Sequence, residues 1–591
     1  MSTLVWVLVG ILLYTSAAMA LKSRGLLPDA IKVSGPIVTV HTKRGRDFLE
    51  WLATPKRLWR AWGNFGVGIA LVIMFGSFFA VLLSAISTIS EPQAAGFVRP
   101  QDALVIPGVN QFLPWAAAVD IIVGLLVGLV VHEGGHGLLC RVEDIDIESM
   151  GVALLAFIPM GAFVQPDEKS QQAADRGGKT RMFAAGVTNN FLVTVLCFLL
   201  LFGIVGSLVG VVPGVAIGGV LPGSAAEEAG IDRGDVLVGV DGEAIDSESS
   251  FRAALEDADR EVTVEREDAD PVTVERSLIV TRAVVDGPIE TGTEIESVDG
   301  EPVFTESEFE AALEGAEVVG LGTGDSDDDV RFPVGTFVST VPDDQPLGSD
   351  DNGDAPDTPM IVHSLGGEPT PDHEALSSVL ADTDPGETVE IVAYHGDDDP
   401  WDGDRNVYQV TLDEHPNEDH GFLGVGGIQQ GTSGVVVDDF GIDTYPADRY
   451  HAMLGGTDDG GVTTFVTRTF AALVLPFMNI VDPNVGYNFA GFNGEITNFY
   501  SVSGPLSAGL VFGLVNVLFW TGWVNINLGI FNCIPSYPLD GGHILRSSVE
   551  ATLGRLPGDA SAGTVSAITA AISVTMILSL LGLLFVPWLL G

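Results

Sequence analysis

The chain has few basic side chains. Its 591 residues include 27 Lys and Arg against 79 Asp and Glu, which gives a formal net charge of −52. A surface of this sign repels nucleic acid, so we expect no nucleic-acid partner. Dense acidic residues with little lysine are typical of proteins from high-salt cytoplasms and brines, and we interpret the chain as that of a halophilic archaeon.

Cysteine is also scarce. Cys140, Cys197 and Cys533 all lie in or beside apolar stretches, and no two of them have CxxC spacing. No disulfide framework can be read from three such residues. We interpret them as small buried residues.

Long apolar runs share the chain with a polar, acidic region between residues 232 and 459. Runs long enough to cross a bilayer lie near residues 4–20, 67–89, 113–140, 182–212, 506–531 and 565–590. The pattern predicts a polytopic α-helical membrane protein with about six spans, give or take one, and an inserted wet region. Residues 1–212 and 506–591 are the two parts of the membrane domain.

Lysine is absent after residue 179, and this asymmetry predicts the topology. The six lysines lie in the loops after the first and third predicted spans: Lys22, Lys32, Lys43, Lys56, Lys169 and Lys179. Positive loops stay in the cytoplasm. We therefore expect a multi-pass protein of the cell membrane with an extracytoplasmic N-terminus and insert. The run 4–20 also fits a cleaved signal peptide, but it lacks a basic segment before it, which favours an uncleaved anchor.

Residues 465–480 are ambiguous, because Arg468 interrupts an otherwise apolar run. A single crossing there would reverse every later span. We expect an interfacial or re-entrant segment, within a connector over residues 416–505.

The run near 113–140 contains His132, Glu133 and His136 in the order His-Glu-Gly-Gly-His. Ionisable side chains inside a membrane span are expensive and mark function. Histidines at i and i+4 lie on one helical face and can bind one zinc ion, while the glutamate serves as general base for water. This motif predicts a metal centre with Glu133 as the catalytic residue.

A third ligand is predicted near the C-terminus. Asp540 follows the apolar run 506–531, within the sequence Asn-Cys-Ile-Pro-Ser-Tyr-Pro-Leu-Asp-Gly-Gly-His over residues 532–543. Two histidines and one carboxylate leave a coordination position open, as in catalytic zinc sites. On its own the Asp-Gly pair would indicate only a turn, and His543 is a weaker alternative ligand.

These motifs together resemble the site-2 protease family of intramembrane zinc metalloproteases, peptidase family M50. Residues 185–191 resemble the family's AGPxxNF segment, with Asn190 in the Asn position and Val187 in place of proline. Residues 161–164, which include Gly161 and Phe163, are similar to the extended segment that pairs with substrate. We expect one Zn²⁺ per chain. The positive loops place both motifs toward the cytoplasmic side.

The insert contains three similar units. Residues 235–243, 293–301 and 361–368 each read as an alternating strand into a glycine turn, followed by helix-like stretches at 250–255, 307–313 and 373–380. They resemble PDZ domains: a first domain over 213–277, with 214–220 as its peptide-cradling segment, and degenerate or spacer repeats over 278–341 and 359–415. An acidic flexible linker over 342–358 separates the last two.

The resemblance predicts a zinc metalloendopeptidase that cuts a transmembrane protein substrate in the lipid bilayer, such as a membrane-tethered regulator. Asn190 or Asn532 could donate a hydrogen bond to the oxyanion or the substrate backbone, or serve in helix packing. An extended edge near Gly161 and Phe163 could pair with an unwound substrate, and the first PDZ-like domain could bind peptide C-termini.

Two other functions fit parts of the sequence. A metal transporter would need polar residues along the whole membrane depth, and here they cluster at one level. An inactive membrane scaffold acting through the PDZ-like repeats would not need the base Glu133.

Overall fold

A computed structural model of the protein describes residues 3–28, 30–90, 105–107, 113–155, 158–256, 258–285, 287–324, 329–342, 345–348, 356, 358–396, 401, 405–416, 418–457, 461–482, 485–555 and 561–590. The chain forms two compact units. Unit 1 comprises Met1–Val211 with Asp448–Gly591, and unit 2 is Val212–Ala447. Most of the linker expected over 342–358 lies outside the described residues.

The helices are numbered in the order in which they occur along the chain. They are Thr3–Ser23 (α1), Lys43–Leu52 (α2), Lys56–Ser90 (α3), Ala118–Val142 (α4), Glu168–Ala173 (α5), Arg176–Leu208 (α6), Ala225–Glu228 (α7), Glu248–Glu256 (α8), Glu306–Leu313 (α9), His373–Ala381 (α10), Ala447–Met453 (α11), Val462–Val474 (α12), Met478–Val481 (α13), Ala508–Cys533 (α14), Asp540–Leu553 (α15) and Ala562–Leu590 (α16).

The strands are likewise numbered along the chain. They are Ile31–Ser34 (β1), Ile37–His41 (β2), Ile147–Leu155 (β3), Ile158–Pro166 (β4), Val209–Val211 (β5), Val215–Val220 (β6), Val236–Val240 (β7), Glu243–Ala244 (β8), Glu261–Arg266 (β9), Ala269–Glu275 (β10), Leu278–Ala283 (β11), Glu294–Val298 (β12), Glu301–Pro302 (β13), Val318–Thr323 (β14), Val330–Pro333 (β15), Thr336–Thr340 (β16), Met360–Leu365 (β17), Glu368–Pro369 (β18), Thr388–His395 (β19), Asn406–Thr411 (β20), Asp413–Glu414 (β21), Gly421–Phe422 (β22), Gly426–Ile428 (β23), Val435–Asp438 (β24), Ile442–Thr444 (β25) and Tyr500–Val502 (β26).

Six helical segments in the described part of the chain are long and apolar enough to cross a membrane: Lys56–Ile89, Trp115–Val142, Arg176–Leu208, Val462–Val481, Ala508–Cys533 and Ala562–Leu589. The protein is thus a polytopic helical membrane protein with an inserted β-rich region. The set differs from the expected one in that it includes Val462–Val481 and omits the run near 4–20. The apolar helix described there, Val9–Ser23, is shorter.

The chain from α11 to α14 begins and ends beside the same end of α6. At its start, His451 Nε2 lies 2.8 Å from the carbonyl oxygen of Val209. At its end, β26 pairs antiparallel with β5, which directly follows α6. Between these two points the chain extends along α14. The carbonyl of Leu473 accepts the indole N–H of Trp523 at 3.0 Å, and Trp523 lies about 22 Å along α14 from its first residue. A chain that enters and leaves beside one helix end does not make a single crossing.

Side chains of α14 satisfy the irregular backbone on the return path. Trp520 donates to the carbonyl of Ala490 at 3.1 Å. The amide of Asn516 accepts from the N–H of Phe492 at 2.7 Å and donates to its carbonyl at 3.0 Å. Non-helical backbone inside a membrane protein persists only where such partners replace water. The polar residues of α14 therefore hold this segment.

Unit 1 also contains a four-stranded antiparallel sheet in the order β1-β2-β3-β4. β4 is its outer strand and packs along α4. Leu49 of α2 and Leu138 and Leu139 of α4 contribute to the apolar core beneath the sheet. An edge strand of this sheet therefore lies next to the helix that bears His-Glu-Gly-Gly-His.

Unit 2 contains three sheets built to one plan, in the orders β10-β9-β7-β6-β25, β15-β14-β12-β11-β24 and β20-β19-β17-β16-β23. Each has its own apolar core, and the helix-like stretches form α8, α9 and α10. The last strand of each sheet comes from residues 426–444, in reverse order: β23 completes the third sheet, β24 the second and β25 the first. In the sequence, the third sheet is therefore nested within the second, and the second within the first.

This nesting differs from the consecutive boundaries expected from the sequence. The strands β23, β24 and β25 fall within the predicted connector 416–505. A short strand carries no local sign of a distant partner, and paired residues here, such as Val338 with Ile428 and Val220 with Ile442, lie far apart in the sequence. The segment 214–220 is also not an open edge, since β6 lies between β25 and β7. The outer strand of the first sheet is β25.

We expect Asn516→Leu to loosen the segment that returns along α14. The substitution keeps the side-chain volume but leaves the Phe492 N–H and carbonyl without partners, at about 1–3 kcal/mol for each buried group. Hydrogen exchange of residues 485–500 in detergent should accelerate. Asn527→Leu is the matched control, because the Asn527 amide donates to the Trp523 carbonyl one turn back in its own helix. Equal exchange in both variants would contradict the assigned role.

Candidate metal centre

His132 and His136 lie one turn apart on α4 and direct their rings toward the same point. Their Nε2 atoms are 3.1 Å apart, and the rings meet edge to face. His132 is 5% exposed and the side chain of His136 is 12% exposed, so water has little access to these nitrogens. The helical spacing brings the two imidazoles together, as predicted from the sequence.

Asp540 reaches the two histidines from the other end of the chain. α14 ends at Cys533, and the chain turns back so that Asp540 is the first residue of α15. Gly541 makes this turn possible, because a Cβ there would clash with the carbonyl oxygens of Cys533 and Ile534. Asp540 Oδ2 lies 3.1 Å from His132 Nε2 and 3.2 Å from His136 Nε2.

The three ligand atoms form a nearly equilateral triangle, with sides of 3.1, 3.1 and 3.2 Å. Tetrahedral zinc with bonds of about 2.0–2.1 Å separates its ligand atoms by about 3.3 Å. Asp540 Oδ2 is buried, and among the described residues no donor makes a well-directed hydrogen bond to it. A buried carboxylate oxygen facing two imidazole nitrogens is explained by a shared cation. The donor set therefore fits zinc.

The other nitrogen of each imidazole is held by α6. His136 Nδ1 lies 2.8 Å from the carbonyl oxygen of Met182, which only accepts, so Nδ1 carries the proton and Nε2 is available as a ligand. The Asn190 amide lies 3.3 Å from His132 Nδ1 and is fully buried, with Oδ1 as its unsatisfied atom. A half turn of this amide would direct Oδ1 to a proton on His132 Nδ1 and leave Nε2 as the ligand.

Gly186 lets α6 approach the histidines this closely. A Cβ at Gly186 would lie 2.8 Å from His132 Cε1 and 2.8 Å from His136 Nε2. Even alanine would therefore displace the ligands. α6 is continuous through Val187, so valine in place of the family's proline leaves the helix intact.

Glu133 faces the edge strand β4. Its Oε2 accepts the backbone N–H of Val164 at 2.8 Å. In an antiparallel strand alternate residues direct N–H and C=O to opposite sides. Val164 and Ala162 therefore direct these groups away from β3, toward the side on which Glu133 lies.

The remaining predicted residues lie apart from the three ligands. The Asn532 amide donates to the Leu528 carbonyl at 2.9 Å, within α14. Phe163 packs its ring on His41 at 5.2 Å, and a Cβ at Gly161 would meet open space. His543 stacks on Phe183 at 4.2 Å and is not among the three clustered ligands.

Sequence reasoning missed two contributors to the site. The Met182 carbonyl and the Val164 N–H are backbone groups, which no residue type reveals. The position of Gly186, four residues before Asn190 in the same helix, was a signal that α6 packs against the ligand pair.

Comparison with known proteins agrees with this arrangement. A sequence model of peptidase family M50 matches residues 120–576. The chain is 29% identical over 197 residues to an Agrobacterium fabrum protein provisionally named a zinc metalloprotease, covering 27% of this chain and 50% of that protein. It is 26% identical over 164 residues to an uncharacterized protein of Methanocaldococcus jannaschii, covering 28% and 42%. The chain thus spans half or less of the length of these relatives.

We expect Asn190→Ala to weaken metal binding by about 10- to 100-fold, the usual effect of removing a group that orients a ligand. The measurement is the zinc affinity of the full chain in detergent, by competition with a chelator. Asn189→Ala is the matched control, because Asn189 accepts from the Trp62 indole at 2.9 Å and not from an imidazole. Unchanged affinity in Asn190→Ala would show that this amide does not orient His132.

Proposed function

The chain belongs to peptidase family M50, and we propose that it is an intramembrane zinc endopeptidase that hydrolyses peptide bonds within or near transmembrane segments of membrane proteins. The observation that carries this proposal is the convergence of His132, His136 and Asp540 between apolar helices of unit 1, with Glu133 next to His132 in the same helix. A water-activating centre among such helices has no simple structural use.

His132, His136 and Asp540 would hold the metal through Nε2, Nε2 and Oδ2. When bound, zinc would act as a Lewis acid that lowers the pKa of water to about 7 and polarises a carbonyl. The relative in Agrobacterium fabrum and the family support zinc as the ion. The Met182 carbonyl and Asn190 hold the two rings in the orientation this binding needs.

Glu133 moves the proton in the proposed reaction. Its carboxylate accepts a proton from the attacking water and returns it to the nitrogen of the leaving amine. The Val164 N–H holds one carboxylate oxygen, Oε2, and leaves the other to receive the proton. Glu133 is thus oriented before substrate arrives.

The substrate is a transmembrane segment that unwinds at the cut. An unwound segment needs partners for its freed N–H and C=O groups, because the bilayer supplies none. The outer edge of β4 offers the N–H and C=O of Ala162, and a peptide added there lies beside Glu133. This edge supports an extended substrate, which the family resemblance also implies for residues 161–164.

The three sheets of unit 2 select substrates by their peptide ends in our proposal. A sheet with an exposed outer strand beside a helix can take up a peptide end, and β25, which pairs with β6 near α8, offers such an edge in the first sheet. We propose that this region admits trimmed substrates, as in regulated proteolysis of a membrane-tethered regulator, from the extracytoplasmic side.

We expect Glu133→Gln to retain metal and lose cleavage, because the amide keeps the volume but cannot accept the proton. Loss of a general base lowers the rate by about 10²–10⁴-fold. Bound metal and cleavage of a transmembrane substrate are measured on the same detergent preparation. Asp120→Asn, a carboxylate near the start of the same helix, is the control. Cleavage by Glu133→Gln at the normal rate would refute the mechanism, and metal-bound wild type that cuts no substrate would favour a scaffold.

We expect Ala162→Pro to lower kcat/KM for a helical transmembrane substrate by about 3- to 10-fold, the value of one hydrogen bond. Proline removes the outward N–H without touching the bonds between β4 and β3. Metal content should not change. Ala162→Val keeps the N–H and is the matched control, and an equal effect of both substitutions would argue against strand addition at this edge.

A further inference from the structure

Unit 2 contains a second group of metal-ligand side chains. His415, Glu418 and His420 each offer one ligand atom, and these atoms lie within 4.8 Å of one another. They belong to the loop between β21 and β22, far in sequence from His132, His136 and Asp540. Nothing in the proposed peptidase reaction uses them.

The loop is anchored at both ends. β21 pairs with β22, and the His415 N–H donates to the His420 carbonyl at 3.0 Å, so both histidines stand at the neck of the loop. On either side Leu412 and Leu423 are buried in the core of the third sheet. The side chains of the group are therefore brought together by the fold.

The His420 ring faces an acceptor at each nitrogen. Nδ1 lies 2.9 Å from the carbonyl oxygen of Gly421, and Nε2 lies 2.8 Å from Glu418 Oε2. A neutral imidazole has only one N–H to donate. With Nδ1–H donating to Gly421, the Nε2 lone pair faces the Glu418 carboxylate, and these two atoms can share a cation. The His415 ring, 4.7 Å away between centroids, supplies a further nitrogen ligand.

The arrangement around His420 repeats that around His136. In both, a backbone carbonyl holds Nδ1, a carboxylate faces Nε2 and a second imidazole lies 4.7 Å away between ring centroids. The two differ in exposure and ring angle: Glu418 is exposed, and the rings of His415 and His420 are stacked at 24°. Solvent competition makes the second group the weaker one.

We propose that His415, Glu418 and His420 form a second metal site, which binds a divalent transition-metal ion that prefers imidazole and carboxylate ligands, with Zn²⁺ as the probe. Water fills the remaining coordination positions at this exposed loop. The ion links the two histidines and Glu418 and closes the β21–β22 loop at the edge of the third sheet.

The test is the number of zinc ions bound by the full chain in detergent. The protein is stripped with a chelator, dialysed against buffered free Zn²⁺ and analysed by mass spectrometry of the metal. We expect a second equivalent in the wild type that His415→Gln with His420→Gln abolishes. His373→Gln, elsewhere in unit 2, should keep it. His132→Gln with His136→Gln should lose only the other equivalent, which separates this site from the proposed peptidase centre.

Hydrogen exchange supplies a second readout on the same samples. Zn²⁺ should slow exchange in residues 413–422 of the wild type and leave the double variant unchanged, while β19 and β20 exchange alike in both and show that the sheet remains folded. Glu418→Gln should weaken the effect. A stoichiometry unaffected by His415→Gln with His420→Gln, or exchange at 413–422 insensitive to Zn²⁺, would overturn the proposal and leave a His420–Glu418 ion pair only.

Discussion

The arrangement of unit 1 depends on one buried cluster, in which a carboxylate oxygen and two imidazole nitrogens face one another between apolar helices. Asp540 Oδ2 and two imidazole nitrogens lie within 3.2 Å of each other and away from water. Such a group is stable only around a cation and only if each ligand is held from behind. The close approach of α6 at Gly186 and the turn at Gly541 are the backbone features that allow this.

The same requirement governs the irregular chain along α14. A peptide group that leaves a helix at membrane depth must find a protein partner. Asn516, Trp520 and Trp523 provide those partners at successive turns of α14. A helix that is apolar with a few polar interruptions therefore supports the irregular chain described between α12 and α14.

The sequence was most informative where metal-binding side chains recur at the spacing of a helical turn. His132 and His136 could be placed on one face because helical spacing alone determines it, and Asp540 because a carboxylate at a span edge is rare. The role of Asn190 could not be read, because an amide can both donate and accept, and the tautomer of His132 decides which it does here. Which groups of β4 face Glu133 is determined by strand register. The outer partners of β6, β11 and β16 come from residues 426–444. These are long-range pairings without a local signal.

The reverse order of β23, β24 and β25 has a consequence for synthesis. Each sheet lacks one of its two outer strands until residues 426–444 have been synthesised. These strands are made in the order β23, β24, β25, for the third, second and first sheet. The sheet that begins earliest is therefore completed last, and its pairing spans the longest stretch of chain. Pairings of such high sequence separation form slowly. Until β25 is made, the edge of β6 stays unpaired while the other two sheets are synthesised. A chain that stopped after residue 411 would lack β23, β24 and β25, and β6, β11 and β16 would then each have an unpaired edge.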